Sequence, residues 1–261
     1  MSAPVFLADP GRLDGSRPGD QYVLEGGEAR HAGVVQRRRA GERVDVVDSA
    51  GVRLHCRIST VEPGRLVLDI EQRTDEPTHG VHLVLVQALA KGDRDEMAIE
   101  ASTEVGVDAV IPWQAGRSVV VWRGERAAKS RARWLARVRQ AAKQSRRAFV
   151  PEVGHAVDTP GLVALVEAAV ATGGRALVLH EEARLPLAAV DLPSDVRPTD
   201  DAAPREVLVV VGPEGGISAD EVEALVGAGA LAVRLGPHVL RTSTAGPVAV
   251  ALLAERLGRW T

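Results

Sequence analysis

Cysteine and aromatic side chains are in shortest supply in this chain of 261 residues. It contains one cysteine, Cys56, and aromatic residues make up 3% of the sequence. A single cysteine excludes an internal disulfide framework and a zinc site built from several cysteine ligands, and it fits a reducing compartment. Because aromatic rings are so few, the hydrophobic core must rest mainly on Val, Leu, Ala and Ile.

Several targeting and catalytic signals are also missing. No uncharged apolar run approaches the roughly 18 residues of a membrane-spanning helix. The first residues, MSAPVFLADPGRL, show no basic segment followed by an apolar one. We therefore expect a cytosolic (cytoplasmic) protein that does not associate with membranes. The seven histidines show no metal-ligand spacing such as H-E-x-x-H, so we expect no metal, and a G-x-S-x-G nucleophile turn is absent.

Positive charge is unevenly distributed, although the net charge is only −3. Between Arg117 and Arg147 there are eleven Arg or Lys residues and one acidic residue, Glu125. A charge run is ordinarily a solvated face. An excess of this size is costly unless a polyanion neutralises it, so we favour a nucleic-acid partner. The candidate RNA-binding residues, which include a second basic cluster nearer the N-terminus, are Arg37, Arg38, Arg39, Lys91, Arg126, Lys129, Arg133, Arg137 and Arg147.

The first 75 residues are predicted to form a compact, β-rich unit. Short runs of Val, Leu and Ile at 44–48, 54–60 and 66–70 are separated by turn signals about ten residues apart, a spacing typical of a small barrel or sandwich. A short helix is expected at 27–37. The polar segment 71–80, which contains Pro and Gly, is the candidate domain boundary.

Beyond this segment, strands alternate with helices, which indicates an α/β domain with a mainly parallel sheet. The predicted strands are 81–88, 107–112, 175–180, 206–211 and 230–235. The predicted helices are 93–105, 127–146, 218–226 and 245–257. In helix 127–146 we expect Leu135, Val138 and Ala142 to form the apolar stripe. Residues 191–205, rich in Pro and Asp, are predicted to form a long surface loop.

The stretch VVVGPEGGISADE, residues 209–221, places a glycine-rich turn between a strand and a helix. Ser218 and Glu221 have the spacing of a capping box, which predicts that the helix starts next to Ser218. Ligands bind at such junctions in open α/β sheets. The turn matches neither the G-x-x-x-x-G-K-[ST] nor the G-x-G-x-x-G phosphate motif. On spacing alone, a ligand-binding loop and a purely structural turn are equally acceptable interpretations.

Two further strand ends carry polar residues. In LGPHVLRTSTAGPVAVALL, residues 235–253, Arg241 stands just before a helix, and the hydroxyls of residues 242–244 are available as caps. In LVLHEEAR, residues 177–184, His180 and Glu181 end a strand. For Arg241 the ordinary interpretation is an ion pair with a nearby carboxylate. For His180 it is a hydrogen-bonded structural histidine. Equivalent junctions of one sheet can nevertheless converge on a single pocket.

Together these motifs resemble those of the ribosomal RNA small subunit methyltransferase E family. VGPEGGISADE and LGPHVLRTSTA are similar to the family's C-terminal motifs. KGDRDEMAIEASTEVGVDAVIP, residues 91–112, is similar to its lysine-led helix and following strand. AAKQSRRAFVPEV, residues 141–153, and RHAGVVQRRRAGERVDVVD, residues 30–48, resemble further family segments. The resemblance spans nearly the whole chain.

The resemblance implies a SPOUT-type enzyme that transfers a methyl group from S-adenosylmethionine to N3 of a uridine in 16S rRNA, free or in the small ribosomal subunit. It implies a PUA-like β-barrel RNA-binding domain over 1–75, an α/β methyltransferase domain with a trefoil knot over 76–261, and a homodimer. A carboxylate in the glycine turn suits ribose hydroxyls or a cation better than a phosphate. The implied cofactor-binding residues are Leu179, His180, Glu181, Gly212, Pro213, Glu214, Gly215, Leu235, Gly236, Leu240 and Thr242.

Two residues are the catalytic candidates under this resemblance. Arg241 would orient the uracil or stabilise its anion, and Glu104 is a second candidate for handling the N3 proton. The family usually shows Leu-Arg-Thr-Glu-Thr-Ala, whereas here Ser243 replaces the glutamate, so any role of that carboxylate is lost while helix capping is still expected. Two alternative functions are a non-catalytic RNA-binding or ribosome-assembly factor on the same fold and a methyltransferase of this type acting on another RNA site.

Overall fold

The computed structural model describes residues 3–196 and 203–260. The chain divides into two compact units. One runs through Thr78 and also includes Ala142–Val150, whereas the other comprises His79–Ala141 and the residues from Pro151 onward. The division after Thr78 falls inside the polar segment 71–80. The short segment Ala142–Val150 belongs to the first unit although it lies far downstream in sequence.

The first unit is built on a five-stranded sheet. Its elements are β1 (Val5–Leu7), β2 (Gln21–Glu25), α1 (Gly26–Arg30), a π-helical turn (His31–Val35), β3 (Arg43–Val47), β4 (Val52–Glu62) and β5 (Arg65–Asp75). The strand order is β1-β3-β4-β5-β2, with β1 parallel to β3 and the other pairs antiparallel. In the described part of the chain, β1 and β2 do not pair to close the sheet into a hydrogen-bonded ring.

The core of the first unit comes from alternate residues of its long strands. Leu54, Cys56 and Ile58 of β4 are buried, as are Leu66 and Leu68 of β5, because successive side chains of a strand point to opposite faces. Burial raises the pKa of the Cys56 thiol to about 12, which leaves it protonated and unreactive near neutral pH. The strand β5 continues to Asp75, which pairs with Val52, so the first half of the segment 71–80 is strand rather than linker.

The second unit has a parallel sheet with helices on both faces. The remaining elements are β6 (Val81–Ala88), α2 (Arg94–Glu104), β7 (Ala109–Gln114), α3 (Glu125–Gln144), β8 (Glu152–Val153), β9 (Val157–Asp158), α4 (Thr159–Ala171), β10 (Arg175–Leu179), β11 (Leu185–Pro186), a short 3-10 helix (Leu187–Ala189), β12 (Arg205–Val211), α5 (Ala219–Gly227), β13 (Leu231–Arg234) and α6 (Thr242–Arg256). The strand order is β11-β13-β10-β12-β6-β7-β8, and β9 also pairs with β7.

The predicted α/β class and parallel sheet are confirmed. Every strand pair of this sheet is parallel. Its central strands β6 and β12 are almost continuously apolar because helices cover both faces. The helix α6 packs on β6 and β12, beside α2. Gly246 allows this close approach, since a Cβ atom at that position would lie 2.9 Å from Leu85 Cδ1.

Two details of the predicted helices are wrong. In α3, Leu135 is 37% exposed, whereas Trp134 is fully buried and packs edge-on against Trp122 at a ring-centroid distance of 5.1 Å. The apolar stripe therefore runs through Trp134, Val138 and Ala142. The last helix, α6, begins at Thr242 rather than at residue 245, because the hydroxyl-rich segment forms its first turn.

The predicted surface loop 191–205 is described only in part, and the prediction about membrane-spanning helices is examined in the described residues. Residues 197–202 of the predicted surface loop 191–205 lie outside them. Within 3–196 and 203–260, no helix combines the length and apolar character needed to cross a membrane.

Candidate functional site

Four strand ends meet at one edge of the parallel sheet. They are the ends of β6, β10, β12 and β13, each followed by a loop, because the carboxyl ends of parallel strands lie on the same side. The sheet order brings β6, β12, β10 and β13 side by side although they are far apart in sequence. The loops that follow these strands contain most of the residues that the sequence motifs single out.

A solvent-open hollow with a cavity volume of about 160 Å³ lies at the ends of β10 and β13. We call it the β10–β13 hollow. It is lined by Leu179, His180, Glu181, Arg234, Leu235, Gly236, Pro237, His238, Val239, Leu240 and Ala245. Six of the eleven residues expected at the cofactor are among them, and the structure thus brings 179–181 together with 235–240. The neighbours that motif reasoning missed, such as His238 and Val239, lie inside the quoted stretch 235–253.

The glycine turn, which we call the 212–216 loop, is tied to the start of α6. Thr242 is buried, and its hydroxyl donates to the Gly212 carbonyl oxygen at 2.7 Å. The same hydroxyl accepts a hydrogen bond from Gln87 Nε2 at 2.9 Å. Among the described residues, none of the 212–216 loop belongs to the lining of the hollow. The loop is instead hydrogen-bonded to Thr242, at the start of α6. The Thr242 side chain is therefore engaged inside the protein.

Glu214 is held by the segment that follows β6. Its Oε1 atom accepts from Arg94 Nη1 at 2.7 Å and from the Lys91 backbone amide at 3.2 Å. Burial alone would raise the pKa of Glu214, but hydrogen bonds from backbone amides and from Arg94 outweigh it and lower the pKa. Glu214 therefore carries a negative charge that fixes the 212–216 loop to the β6–α2 junction. Sequence spacing could not reveal this partner.

The capping box predicted at the start of α5 is confirmed, and Glu221 does more than cap. The Ser218 amide donates to Glu221 Oε2 at 3.1 Å, and the Glu221 amide donates to Ser218 Oγ at 3.4 Å. Glu221 Oε1 also accepts from the Gly116 amide and the Thr159 hydroxyl, both at 2.8 Å. Desolvation would raise the pKa of Glu221, but these hydrogen bonds lower it overall. The carboxylate joins the start of α5 to the loop after β7 and to the first residue of α4.

Replacing Glu221 by Gln should destabilise the protein in a pH-dependent way. A depressed folded-state pKa means that the carboxylate stabilises the fold above its unfolded pKa and loses this effect as the pH falls through the folded value. We expect a loss of about 1–3 kcal/mol in unfolding free energy at pH 7, with a smaller difference from wild type below about pH 4.

Chemical denaturation at several pH values checks this expectation. Glu223→Gln, an exposed position of the same helix, is the matched control and should change stability by less than about 0.5 kcal/mol. A loss for Glu221→Gln that is equally large at pH 3 and pH 7 would contradict the role of the charge.

Arg241 stands at the junction between the β10–β13 hollow and α6. It is the N-cap residue of α6, its backbone is extended, and its side chain is exposed. In residues 3–196 and 203–260, no carboxylate pairs with its guanidinium. The described residues therefore do not support the interpretation that Arg241 forms a structural ion pair with a carboxylate. Ser243 lies in the first turn but is not the N-cap residue, and its hydroxyl makes no hydrogen bond within residues 3–196 and 203–260, so the expectation that it caps the helix is wrong.

Glu104 lies far from these loops along α2. Arg94, at the start of α2, contacts Glu214, whereas Glu104 ends the helix. At 1.5 Å per residue, ten residues of helix separate the two positions by about 15 Å. Glu104 is exposed and lies at the end of α2, five residues before β7 begins. One chain alone therefore does not bring Glu104 to Arg241.

The basic helix α3 is partly neutralised by internal carboxylates. Arg133 and Arg137 both pair with buried Glu96, with Arg137 Nη2 at 3.1 Å from Glu96 Oε2, and Arg137 also pairs with Glu100. These partners lie on α2, whose packing against α3 the sequence could not reveal. Two predicted RNA-binding cations are therefore engaged in ion pairs with carboxylates of α2.

The other predicted RNA-binding residues differ in how exposed they are and in whether they form ion pairs. Arg126 and Lys129 are exposed on α3, and Lys91 is exposed after β6. In the first unit Arg37 and Arg39 are exposed, whereas Arg38 pairs with Glu42 at 3.2 Å. Arg147, assigned to the first unit, is half-buried. Of the predicted RNA-binding residues on α3, Arg126 and Lys129 are therefore the exposed ones for which no ion pair is found in residues 3–196 and 203–260.

The chemistry of the β10–β13 hollow suits a flat apolar ligand that carries hydroxyl groups. Leu179, Val239 and Leu240 supply apolar surface, and Glu181 and His180 supply polar side chains. At Gly236 a Cβ atom would meet open space, so a ligand can approach the backbone closely. In the described residues, no group of three or more His, Cys, Asp or Glu side chains is arranged to hold a metal ion.

A protein family, two sequence relatives and a solved structure that this chain matches are all described as RNA methyltransferases. Residues 77–254 match a protein family described as "RNA methyltransferase domain". The chain is 44% identical over 238 residues to the ribosomal RNA small subunit methyltransferase E of Mycobacterium tuberculosis, with 91% of this chain and 87% of that protein covered. It is 30% identical over 236 residues to the protein of the same name from Bacillus subtilis, with 89% of each covered. A crystal structure of this methyltransferase from Neisseria gonorrhoeae, bound to S-adenosyl methionine, matches with a TM-score of 0.82 and 26% identity, covering 100% of both chains.

Proposed function

Since the chain belongs to the ribosomal RNA small subunit methyltransferase E family, we propose that it transfers a methyl group from S-adenosylmethionine to N3 of a uridine in 16S rRNA. The observation that carries the proposal is the hollow formed by 179–181 and 235–240, with the 212–216 loop tied to it and Arg241 beside it. A structural relative of the same family is bound to S-adenosyl methionine.

The residues of the β10–β13 hollow fit this cofactor. Leu179 and Leu240 would contact the adenine ring, the backbone at Gly236 would read its edge, and Glu181 would bind ribose hydroxyls. When bound, S-adenosylmethionine supplies a methyl group on a positively charged sulfur, which makes the methyl carbon electrophilic. Pro213 and Gly215 would border the cofactor from the 212–216 loop, with Glu214 holding that loop in place through Arg94.

Arg241 would act on the substrate base. The N3–H group of uridine is weakly acidic, and a nearby cation favours the ionised form of an acidic group. The guanidinium of Arg241, free of carboxylate partners in the described residues, would hold the uracil oxygens and stabilise the anion as the N3 proton passes to solvent water. The N3 atom would then bond to the methyl carbon as the bond between that carbon and sulfur breaks, leaving a neutral thioether. Orientation supplies much of the remaining acceleration, because reacting atoms held about 3–3.5 Å apart avoid the entropic cost of encounter.

Several further features belong to the same proposal. We expect a PUA-like RNA-binding domain over 1–75, a SPOUT domain with a trefoil knot over 76–261, a homodimer and a cytoplasmic location. The insertion of the late strand β12 between β6 and β10, with α6 packed on it, supports a knotted arrangement. The side chain of Val239, which lines the hollow and is 78% exposed, supports a second copy of the chain as partner.

The RNA backbone would be gripped by exposed cations. Arg126 and Lys129 lie one turn apart on α3, and Arg37 and Arg39 lie close together in the first unit. Such contacts fix the position of an RNA without reading its sequence. The target uridine would be turned out of its stack to reach the site, as base-modifying enzymes require.

Replacing both Arg126 and Lys129 by Gln should weaken RNA binding mainly at low salt. Two lost phosphate contacts should reduce the slope of log K against log salt by about 1.4–1.8, because each contact releases counterions. Binding of a 16S rRNA fragment at several salt concentrations measures the slope. Arg131→Gln is the matched control on α3, since Arg131 donates to the carbonyl oxygens of Gly154 and Val153. An unchanged slope in the double variant would show that this face does not contact RNA.

A non-catalytic RNA-binding or assembly factor is the competing function. Calorimetric titration with S-adenosylmethionine separates the two, because the enzyme should bind the cofactor saturably. If no binding is detected at any reachable concentration, the non-catalytic function is favoured. Methylation of another RNA site by the same fold is distinguished by analysing which nucleoside is modified.

A further inference from the structure

Gln87 is a polar residue buried in an apolar strand. It is the seventh residue of β6, its exposed fraction is 0%, and the surrounding β6 residues from Leu83 to Ala88 are otherwise apolar and buried. Its Oε1 atom has no hydrogen-bond partner within residues 3–196 and 203–260. Burying an amide with an unsatisfied oxygen is unfavourable. The strand therefore carries a group that lowers its own stability, at the edge where the site lies.

The amide nitrogen of Gln87 begins a relay of hydrogen bonds. Nε2 donates to Thr242 Oγ1 at 2.9 Å, and Thr242 Oγ1 donates to the Gly212 carbonyl oxygen at 2.7 Å. A carbonyl oxygen only accepts, so the single hydroxyl proton of Thr242 must point to Gly212. The hydroxyl then requires a donor on its other side, which is Gln87. The direction of the relay is fixed from β6 to the 212–216 loop.

The relay joins three parts of the proposed site. Gln87 lies next to the end of β6, Gly212 opens the 212–216 loop, and Thr242 is the first residue of α6, directly after Arg241. No side chain caps α6 through its N-cap residue. The relay is therefore what ties the start of α6, and with it the backbone of Arg241, to the loop that follows β12.

We infer that Gln87 is a positioning residue for the methyl transfer: acting through Thr242, it sets Arg241 and the 212–216 loop at the separation that the reaction needs. The inference rests on the proposed function, because it assumes that Arg241 acts on the substrate. Gln87 itself is buried behind Thr242 and would touch neither the uracil nor the cofactor.

Steady-state kinetics of relay variants test the inference. Gln87→Met keeps an unbranched side chain of similar length but removes both polar atoms, and Thr242→Val keeps the shape of threonine without the hydroxyl. Since displacement of reacting groups by about 1 Å can cost on the order of 100-fold, we expect each variant to lower kcat and kcat/KM together by about 10-fold or more. Thr242→Ser, which keeps the hydroxyl, should recover most of the activity that Thr242→Val loses.

A double-mutant cycle separates positioning from a merely structural role. If Gln87 acts through Thr242, the variant carrying both Gln87→Met and Thr242→Val should be no slower than Thr242→Val alone. Additive losses, or a lower Tm with unchanged kcat, would overturn the inference.

Amide hydrogen exchange keeps the test independent of turnover. In Gln87→Met, amides of residues 242–246 should exchange faster than in wild type, because the start of α6 has lost its tether. Unchanged exchange there would overturn the inference. If instead the wild-type protein binds S-adenosylmethionine and RNA but transfers no methyl group, the proposed function fails, whatever the relay variants show in exchange.

Discussion

Replacing Arg241 by Ala should lower the turnover number by about 100- to 1,000-fold, the usual effect of removing one preorganised donor to a developing negative charge. The side chain is exposed at the N-cap of α6. Because it is not part of the core, its removal should leave the fold and the S-adenosylmethionine affinity close to wild type. Methyl-transfer assays with 16S rRNA, together with thermal unfolding and calorimetric titration, measure these effects separately.

Two companion variants sharpen this test. Arg241→Lys keeps the positive charge but loses the planar fork of donors, so it should recover part of the lost rate. Arg184→Ala removes another exposed arginine near the same edge of the sheet and should leave turnover unchanged. If Arg241→Ala keeps wild-type turnover, Arg241 has no catalytic role and the anion must be stabilised elsewhere.

Replacing Gly174 by Ala should be the most destabilising of the simple glycine-to-alanine changes in the second unit. A Cβ atom there would lie 2.8 Å from the Ala169 carbonyl oxygen and closer still to that of Glu206. Both obstacles are backbone atoms, so no side-chain rotation can relieve the clash, and β10 must separate from its neighbour β12. We expect a loss of about 3 kcal/mol or more in unfolding free energy, at the upper end of overpacking effects.

Gly227→Ala is the matched control for this change. Gly227 is the last residue of α5, and a Cβ atom there would meet nothing within 4 Å. Since Ala is about 1 kcal/mol more favourable than Gly inside a helix and less so at its end, the control should be neutral or slightly stabilising. Denaturant unfolding of both variants checks the contrast. A Gly174→Ala protein as stable as wild type would show that the strands can separate without cost.

The features that were predictable from sequence were those encoded by neighbouring residues. The spacing of Ser218 and Glu221 predicted the start of α5, because both halves of a capping box lie within one turn. The boundaries of β6 were predicted without error because an apolar run covered on both faces has a clear beginning and end. By contrast, α4 was not anticipated, because apolar residues surround most of the helix and leave no amphipathic period to detect.

Features that depend on distant residues could not be predicted in the same way. The sequence presented Arg133 and Arg137 as free cations, but the packing of α2 against α3 places Glu96 between them. For Glu214 it indicated ribose hydroxyls or a cation without identifying one, whereas the β6–α2 junction brings Arg94 to it. The six hollow-lining residues were expected at the cofactor only because the motifs resemble those of a known family, since ordinary structural roles also accounted for the polar residues at these strand ends.

The measurement that tests the account most directly is mass-spectrometric nucleoside analysis of 16S rRNA from a strain lacking this protein, alongside strains complemented with the wild-type protein or with Arg241→Ala. We expect N3-methyluridine to be lost in the deletion strain, to return with the wild-type protein and not to return to the same level with Arg241→Ala. N3-methyluridine that persists in 16S rRNA of the deletion strain would contradict the account.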